Sequence, residues 1–185
     1  MFKKYSTLDV TFIMLMAACG VALKPVVGPL AKILGSALLL PSGALAGAIY
    51  MLWPMLALLA VNRFGTAMWV GLLEGLIVMV TGLYGSHGLL SLLTYVLPCL
   101  FMDVAFVLIG RYSRPRLYFI PTAMANLAGA VMVGWWIKRL PMTPFLISLI
   151  PSFIFGGLGG WLAGSLYGAL TRRFPQFDHD SGVSS

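Results

Sequence analysis

Residues 144–171 read PFLISLIPSFIFGGLGGWLAGSLYGALT, a run without a single charged side chain. About 20 such residues are enough for a helix to cross the hydrocarbon core of a bilayer. Glycine recurs at every fourth position in its second half, at Gly156, Gly160, Gly164 and Gly168. Small residues at that spacing form one stripe on a helix, and helices in lipid pack closely through such stripes. The stretch therefore predicts a transmembrane helix packed tightly against a neighbour.

Five further apolar stretches precede this one and are separated from each other by charges, glycines and prolines. They cover residues 9–27, 42–61, 66–81, 88–110 and 117–137. The predicted fold is an all-α, six-transmembrane-helix bundle over residues 1–174, followed by a disordered polar tail over 175–185. The intervening residues 28–41 are compatible with a loop, a re-entrant segment or a short surface helix.

The composition supports a membrane environment and excludes an ordinary soluble domain. Of the 185 residues, 60% are hydrophobic and only 9% are charged, whereas soluble domains carry about 25% charged residues. The net charge of +7 lies in short clusters between apolar runs, as in the loops of membrane proteins. We therefore predict membrane lipid as the surroundings, no nucleic-acid partner, and a multi-pass protein of the cytoplasmic membrane.

The distribution of lysine and arginine predicts that both termini are cytoplasmic. Six spans place the two termini on one side, and cytoplasmic loops carry the excess of basic residues. With both termini inside, the cytoplasmic side holds eight of the 12 basic residues, namely Lys3, Lys4, Arg63, Arg111, Arg114, Arg116, Arg172 and Arg173. The outer side then holds the remaining residues Lys24, Lys32, Lys138 and Arg139.

An acid inside a membrane span is the main candidate for a binding residue. An ionisable group at that depth costs at least about 2.5–3.5 kcal/mol and usually faces a cavity or partner. Glu74 lies about 12 Å into the third span at 1.5 Å per residue, and Tyr50, Trp53 and Asn126 fall at a similar depth on two other spans. A few polar groups converging in an apolar bundle predict a small-molecule site, in which Glu74 would suit a cationic or amine-bearing ligand. The alternative is a protonated Glu74 hydrogen-bonded to a neighbouring helix.

Other polar residues have less specific interpretations. Asp103 lies near the inner end of the fourth span, where pairing with Arg111 or Arg114, or contact with a partner subunit, is the expected role. Tyr84 and His87 lie in the outer loop before the fourth span and would form an entrance or lid of the site.

The chain lacks the motifs that would indicate an enzyme. It has no G-x-x-x-x-G-K-[ST] phosphate loop, no H-E-x-x-H and no G-x-S-x-G. We therefore predict no catalytic residues, no cofactor and no bound metal. Three classes remain: a solute-binding subunit of a transporter, a self-sufficient small secondary transporter or channel, and a membrane assembly protein without a ligand.

Three passages of the sequence carry a resemblance to a known family. They are residues 13–24 with Ala18 and Ala22 as an A-x-x-x-A seam, residues 41–65 from Pro-Ser-Gly to Asn-Arg-Phe-Gly, and residues 82–93. Together they resemble the substrate-binding S components of energy-coupling factor transporters, and the last passage resembles the hydroxymethylpyrimidine/thiamine branch.

The resemblance implies a function and partners. It implies capture of a vitamin or vitamin precursor, with Ala18 and Ala22 docking on a transmembrane coupling subunit that works with two cytoplasmic ATPases. The thiamine-precursor branch has its acid elsewhere on the third helix, so Glu74 does not correspond to it directly. Cobalt and nickel members have histidine directly after the initiator methionine. This chain has Phe2 there, which disfavours metal uptake.

Overall fold

The computed structural model describes residues 5–37, 42–82, 88–109 and 115–173, and seven α-helices account for most of them. The helices are α1 (Thr7–Ala37), α2 (Ser42–Tyr50), α3 (Leu52–Val61), α4 (Thr66–Thr81), α5 (Leu90–Ile109), α6 (Phe119–Val131) and α7 (Met142–Arg173). A 3₁₀ turn at Pro115–Tyr118 precedes α6, and a π-helical turn at Met132–Ile137 continues it. The predicted tail beyond residue 174 lies outside the described residues.

Within the described residues, five helical segments are long and apolar enough to cross a membrane, which confirms a helical, multi-span architecture for that part of the chain. They are Thr7–Ser36, Gly43–Val61, Leu90–Ile109, Arg116–Ile137 and Met142–Arg173. The third predicted span corresponds to α4, a shorter apolar helix of 16 residues. The count of six spans and the cytoplasmic placement of both termini therefore stay predictions.

The first helix extends well beyond its predicted end at residue 27. It continues to Ala37 with Pro25 and Pro29 inside it, so a loop is wrong for this stretch up to that residue. The re-entrant and surface alternatives concern its position relative to a bilayer and stay predictions. Prolines are tolerated in membrane helices because neighbouring helices and side chains satisfy the freed backbone groups. Gly28, Ala31 and Gly35 are buried and continue the inner face of the helix.

The N-terminal end of α1 is fixed to the turn between α3 and α4. The backbone amide of Ser6 donates to Asp9 Oδ2 at 2.8 Å and the amide of Asp9 donates to Ser6 Oγ at 3.2 Å, which forms a reciprocal helix cap. Asp9 Oδ2 also pairs with Arg63 at 3.3 Å, and the Tyr5 hydroxyl donates to the carbonyl of Phe64 at 3.0 Å. These contacts hold α1 in a defined position against the bundle.

The second span is interrupted at its middle. Pro54 has no amide hydrogen to donate four residues back, and the regular helix breaks at Met51 between α2 and α3. After the break, α3 is almost wholly buried. It forms the apolar core with residues of α5, α6 and α7, including Met55, Met102 and Ala163. The break places Tyr50 at the end of α2, next to this core.

Glycines bring α7 into direct contact with α6, as the spacing in the last span predicts. A Cβ at Gly156 would overlap the Asn126 side chain, and a Cβ at Gly160 would overlap the carbonyl oxygen of Tyr118. Gly164 is also buried. Gly168 differs, because a Cβ there would meet nothing within 4 Å.

Gly160→Ala should destabilise the protein by about 1–3 kcal/mol, the usual cost of overpacking, because the backbone of Tyr118 cannot move aside cheaply. Gly168→Ala is the matched control and should be neutral or stabilising, since alanine favours helix over glycine by about 1 kcal/mol. Unfolding of each variant in mixed detergent micelles measures both effects. Equal stability of the two variants would contradict the close contact of α7 with the turn that precedes α6.

Candidate functional site

A buried ion pair joins α1 to α4. Lys24 Nζ contacts Glu74 Oε2, and the two residues are only 1% and 4% exposed. Charges are almost never buried this completely unless they are paired. The intramembrane acid singled out from the sequence therefore has a partner on a neighbouring helix, and that partner is a cation.

Two tyrosine rings surround the ammonium group of Lys24. Its Nζ lies 4.8 Å from the centroid of the Tyr95 ring on α5 and 5.4 Å from that of the Tyr50 ring on α2. Both distances are within the range of cation–π attraction, which strengthens when water is excluded. Four helices thus contribute to one group, which we call the Lys24 cluster: Lys24, Tyr50, Glu74 and Tyr95.

Glycines determine the close approach of the helices that form the cluster. A side chain at Gly20, one turn before Lys24, would overlap the Glu74 carboxylate. On α4, a Cβ at Gly71 would lie 2.5 Å from the backbone oxygen of Tyr95, and one at Gly75 would lie 3.3 Å from the Tyr95 side chain. Small residues on α1 and α4 therefore place the acid, the lysine and a tyrosine together.

The cluster retains one unused polar atom. Glu74 Oε1 is buried and has no hydrogen-bond partner among the described residues. An unsatisfied buried acceptor costs about 1–3 kcal/mol, more for charged groups. An N–H or O–H donor would satisfy it.

Asn126 lies in a separate contact between α2, α6 and α7. Its Nδ2 donates to the carbonyl of Ser152 at 2.7 Å, and a Cβ at Gly47 would overlap its amide. The structure therefore gives Asn126 a role in holding three helices together. Gly47 is one turn before Tyr50, so α2 connects this contact to the Lys24 cluster.

Trp53, which the sequence also predicted to contact the ligand, does not belong to the Lys24 cluster. Trp53 is half-buried against the apolar core, and its buried indole nitrogen has no hydrogen-bond partner among the residues described. Tyr84 and His87 lie outside the described residues.

Sequence reasoning missed Lys24 and Tyr95. Lys24 was counted as an outer-side charge, although it falls inside the first apolar run. The rule that charged residues inside a membrane span mark function applies to bases as well as to acids, and it would have selected Lys24. Tyr95 has no comparable signal, because its place depends on the contact of α4 with α5.

Asp103 caps a helix. Its carboxylate accepts hydrogen bonds from the backbone amides of Ala67 at 3.2 Å and Met68 at 2.9 Å, both in the first turn of α4. A negative charge is favourable there because the N-terminus of a helix carries partial positive charge and unpaired amides. The expected pairing with Arg111 or Arg114 stays a prediction, because both arginines lie outside the described residues.

The predicted docking residues lie on the outer face of α1. Ala18 and Ala22 are both exposed, and so are Met14, Leu15 and Val26 at 55%, 52% and 60%. The opposite face of the same helix carries Lys24. One helix therefore presents a small-residue surface outward and a charged group inward.

One comparison identifies the family. The sequence model described as "ABC-type cobalt transport system, permease component" matches residues 9–133. The chain belongs to this family. The match begins in the first turn of α1 and runs to the end of α6, so it includes the whole Lys24 cluster. No curated protein and no solved structure matches the chain significantly.

Membership of this ABC-type permease family confirms the predicted class at a coarse level. The protein is a multi-pass membrane component of an ABC-type transport system. Such components work with other transporter subunits and with ATPases, and the family is one of transporters rather than enzymes. Its description names cobalt, whereas the resemblance in the sequence predicted a vitamin.

Proposed function

We propose that the chain is the substrate-binding S component of an energy-coupling factor importer, and that it binds a ring-bearing nutrient at the Lys24 cluster. The observation that carries this proposal is the buried Glu74 Oε1, which has no hydrogen-bond partner among the described residues, in a carboxylate whose lysine partner faces the rings of Tyr50 and Tyr95. A flat ring bearing an amine would donate to the carboxylate oxygen and stack on a tyrosine. Trp53 and Asn126 would border the ligand, and Tyr84 and His87 would cover it from the outer loop.

The ligand class we propose is an aminopyrimidine, the uncharged ring shared by hydroxymethylpyrimidine and by thiamine, whose positive charge lies on its separate thiazolium ring. The exocyclic amine of this ring supplies the N–H donor that Glu74 Oε1 lacks. Lys24 already contacts the other oxygen, so a donor that carries no charge meets the remaining one without introducing a second cation. This revises the expectation of a cationic ligand for Glu74.

The family description makes cobalt the competing substrate. In the described part of the chain, no three His, Cys, Asp or Glu side chains come together as a possible metal site. The acid of the Lys24 cluster is already neutralised by a lysine, which repels a divalent cation. These observations favour an organic ligand.

Calorimetric titration of the purified protein tests the proposal with hydroxymethylpyrimidine, thiamine and Co²⁺ as separate ligands. We expect saturable binding of the pyrimidine. Glu74→Gln should weaken this binding at least about tenfold, or about 1.4 kcal/mol, because an amide is a weaker acceptor than a carboxylate. Thr81→Val, on the exposed end of the same helix, is the control and should bind as the parent does.

Two results would count against this assignment. Binding of Co²⁺ without any binding of the pyrimidine or thiamine would make the chain a metal carrier. Full affinity in the Glu74→Gln protein would move the ligand away from the Lys24 cluster.

A further inference from the structure

We infer that Lys24 is a specificity-determining residue, which occupies the cation position of the site and biases it towards uncharged rings. The inference concerns the same site as the proposed function and adds the charge preference to it. Its basis is the position of one ammonium group, in contact with Glu74 Oε2 and facing the rings of Tyr50 and Tyr95.

The surroundings of Lys24 Nζ have the chemistry of a cation-binding site. A carboxylate and the faces of two aromatic rings are the groups that bind organic cations in proteins. Here the protein fills that position with its own side chain, which is only 1% exposed. A cationic ligand at the same rings would have to displace the ammonium group or lie against it.

The charge balance of the Lys24 cluster explains why the site prefers uncharged rings to cationic rings. Lys24 and Glu74 together carry no net charge, so an uncharged ring enters without electrostatic penalty. A cationic ring would bring a second positive charge beside Lys24 in surroundings where charges interact far more strongly than in water. Glu74 Oε1 has no hydrogen-bond partner among the described residues, so it could still accept a hydrogen bond from an uncharged amine.

Removing the ammonium group should therefore turn the site into one that binds cations. The probes are N-methylpyridinium, a permanent cation, and pyridine, its neutral counterpart at mildly alkaline pH. We expect Lys24→Met to bind N-methylpyridinium at least about tenfold more tightly than the parent protein does, while the affinity for pyridine changes much less. Lys24→Arg keeps the charge and should retain the preference of the parent protein.

A double variant tests whether any new cation binding takes place at the Lys24 cluster. Lys24→Met combined with Glu74→Gln lacks both charges and should lose the gain. Lys24→Gln keeps an N–H donor to Glu74 without the charge, and it replaces Lys24→Met if the latter is not recovered folded. Binding is measured by competition and by thermal stabilisation in detergent.

The outcomes separate this inference from the proposed function. Equal N-methylpyridinium binding in the parent, the single variant and the double variant would overturn the role of Lys24, whatever the parent does with aminopyrimidines. A cation gain that depends on Glu74 supports it, even if the natural ligand proves to have another ring.

Discussion

Lys24→Met should lower the free energy of unfolding by about 3–5 kcal/mol, the cost of removing one partner from a buried ion pair. The substitution keeps the apolar stem and deletes the charge, so the loss arises from leaving Glu74 buried without its cation. Reversible unfolding in mixed micelles, followed by circular dichroism, measures it. Lys32→Met is the matched control, since Lys32 is exposed on the same helix, and it should change stability little.

The double variant Lys24→Met with Glu74→Gln completes the test. Replacing both members of a buried pair is often nearly neutral, whereas removing one is not. We expect the double variant to recover most of the stability lost in Lys24→Met. A single variant as stable as Lys32→Met would show that the two charges do not depend on each other.

Ala18→Trp should abolish uptake and leave ligand binding unchanged, the largest functional effect we expect from one substitution. Ala18 is exposed on the outer face of α1 and is separated by one turn from Ala22. Small residues at this spacing let another helix approach closely, and an indole would hold that helix away. Because Lys24 lies on the opposite face, the binding site should not change.

Uptake is measured as transport of the labelled ligand into cells that express the coupling subunit and ATPases. Ligand binding is measured by calorimetry on the purified chain. Ala169→Trp is the control, since Ala169 is an exposed alanine on α7 outside the proposed docking seam. We expect it to support uptake and binding as the parent does. Normal uptake by Ala18→Trp would remove α1 from the docking surface.

The helices of the bundle could be predicted from the sequence, and their lengths less so. Apolar runs locate spans because the bilayer requires them, and all but one of the six runs yielded a helix long enough to cross. The continuation of α1 beyond residue 27 and through Pro29 was missed because proline usually ends helices in water. The π-helical turn at Met132–Ile137 has no distinctive sequence signal.

Only part of the candidate site could be predicted from the sequence. The burial of Glu74 follows from the cost of a charge in lipid. Tyr50, which the sequence assigned to the same level as Glu74, lies in the same cluster. The partner of the acid requires knowing which face of α1 meets α4, and that depends on the contact at Gly20. The grouping of Asn126 with Glu74 rested on depth alone, which places residues on one level without bringing them into contact.

Native mass spectrometry of the detergent-purified protein, with identification of any small molecule released on denaturation, tests the central claim most directly. We predict a ring-bearing nutrient in near-stoichiometric amount in the parent protein, and a marked loss of it in Glu74→Gln. A protein that is empty as purified, and that stays empty after soaking with hydroxymethylpyrimidine, thiamine and a panel of other vitamins, would contradict the assignment as a substrate-binding subunit.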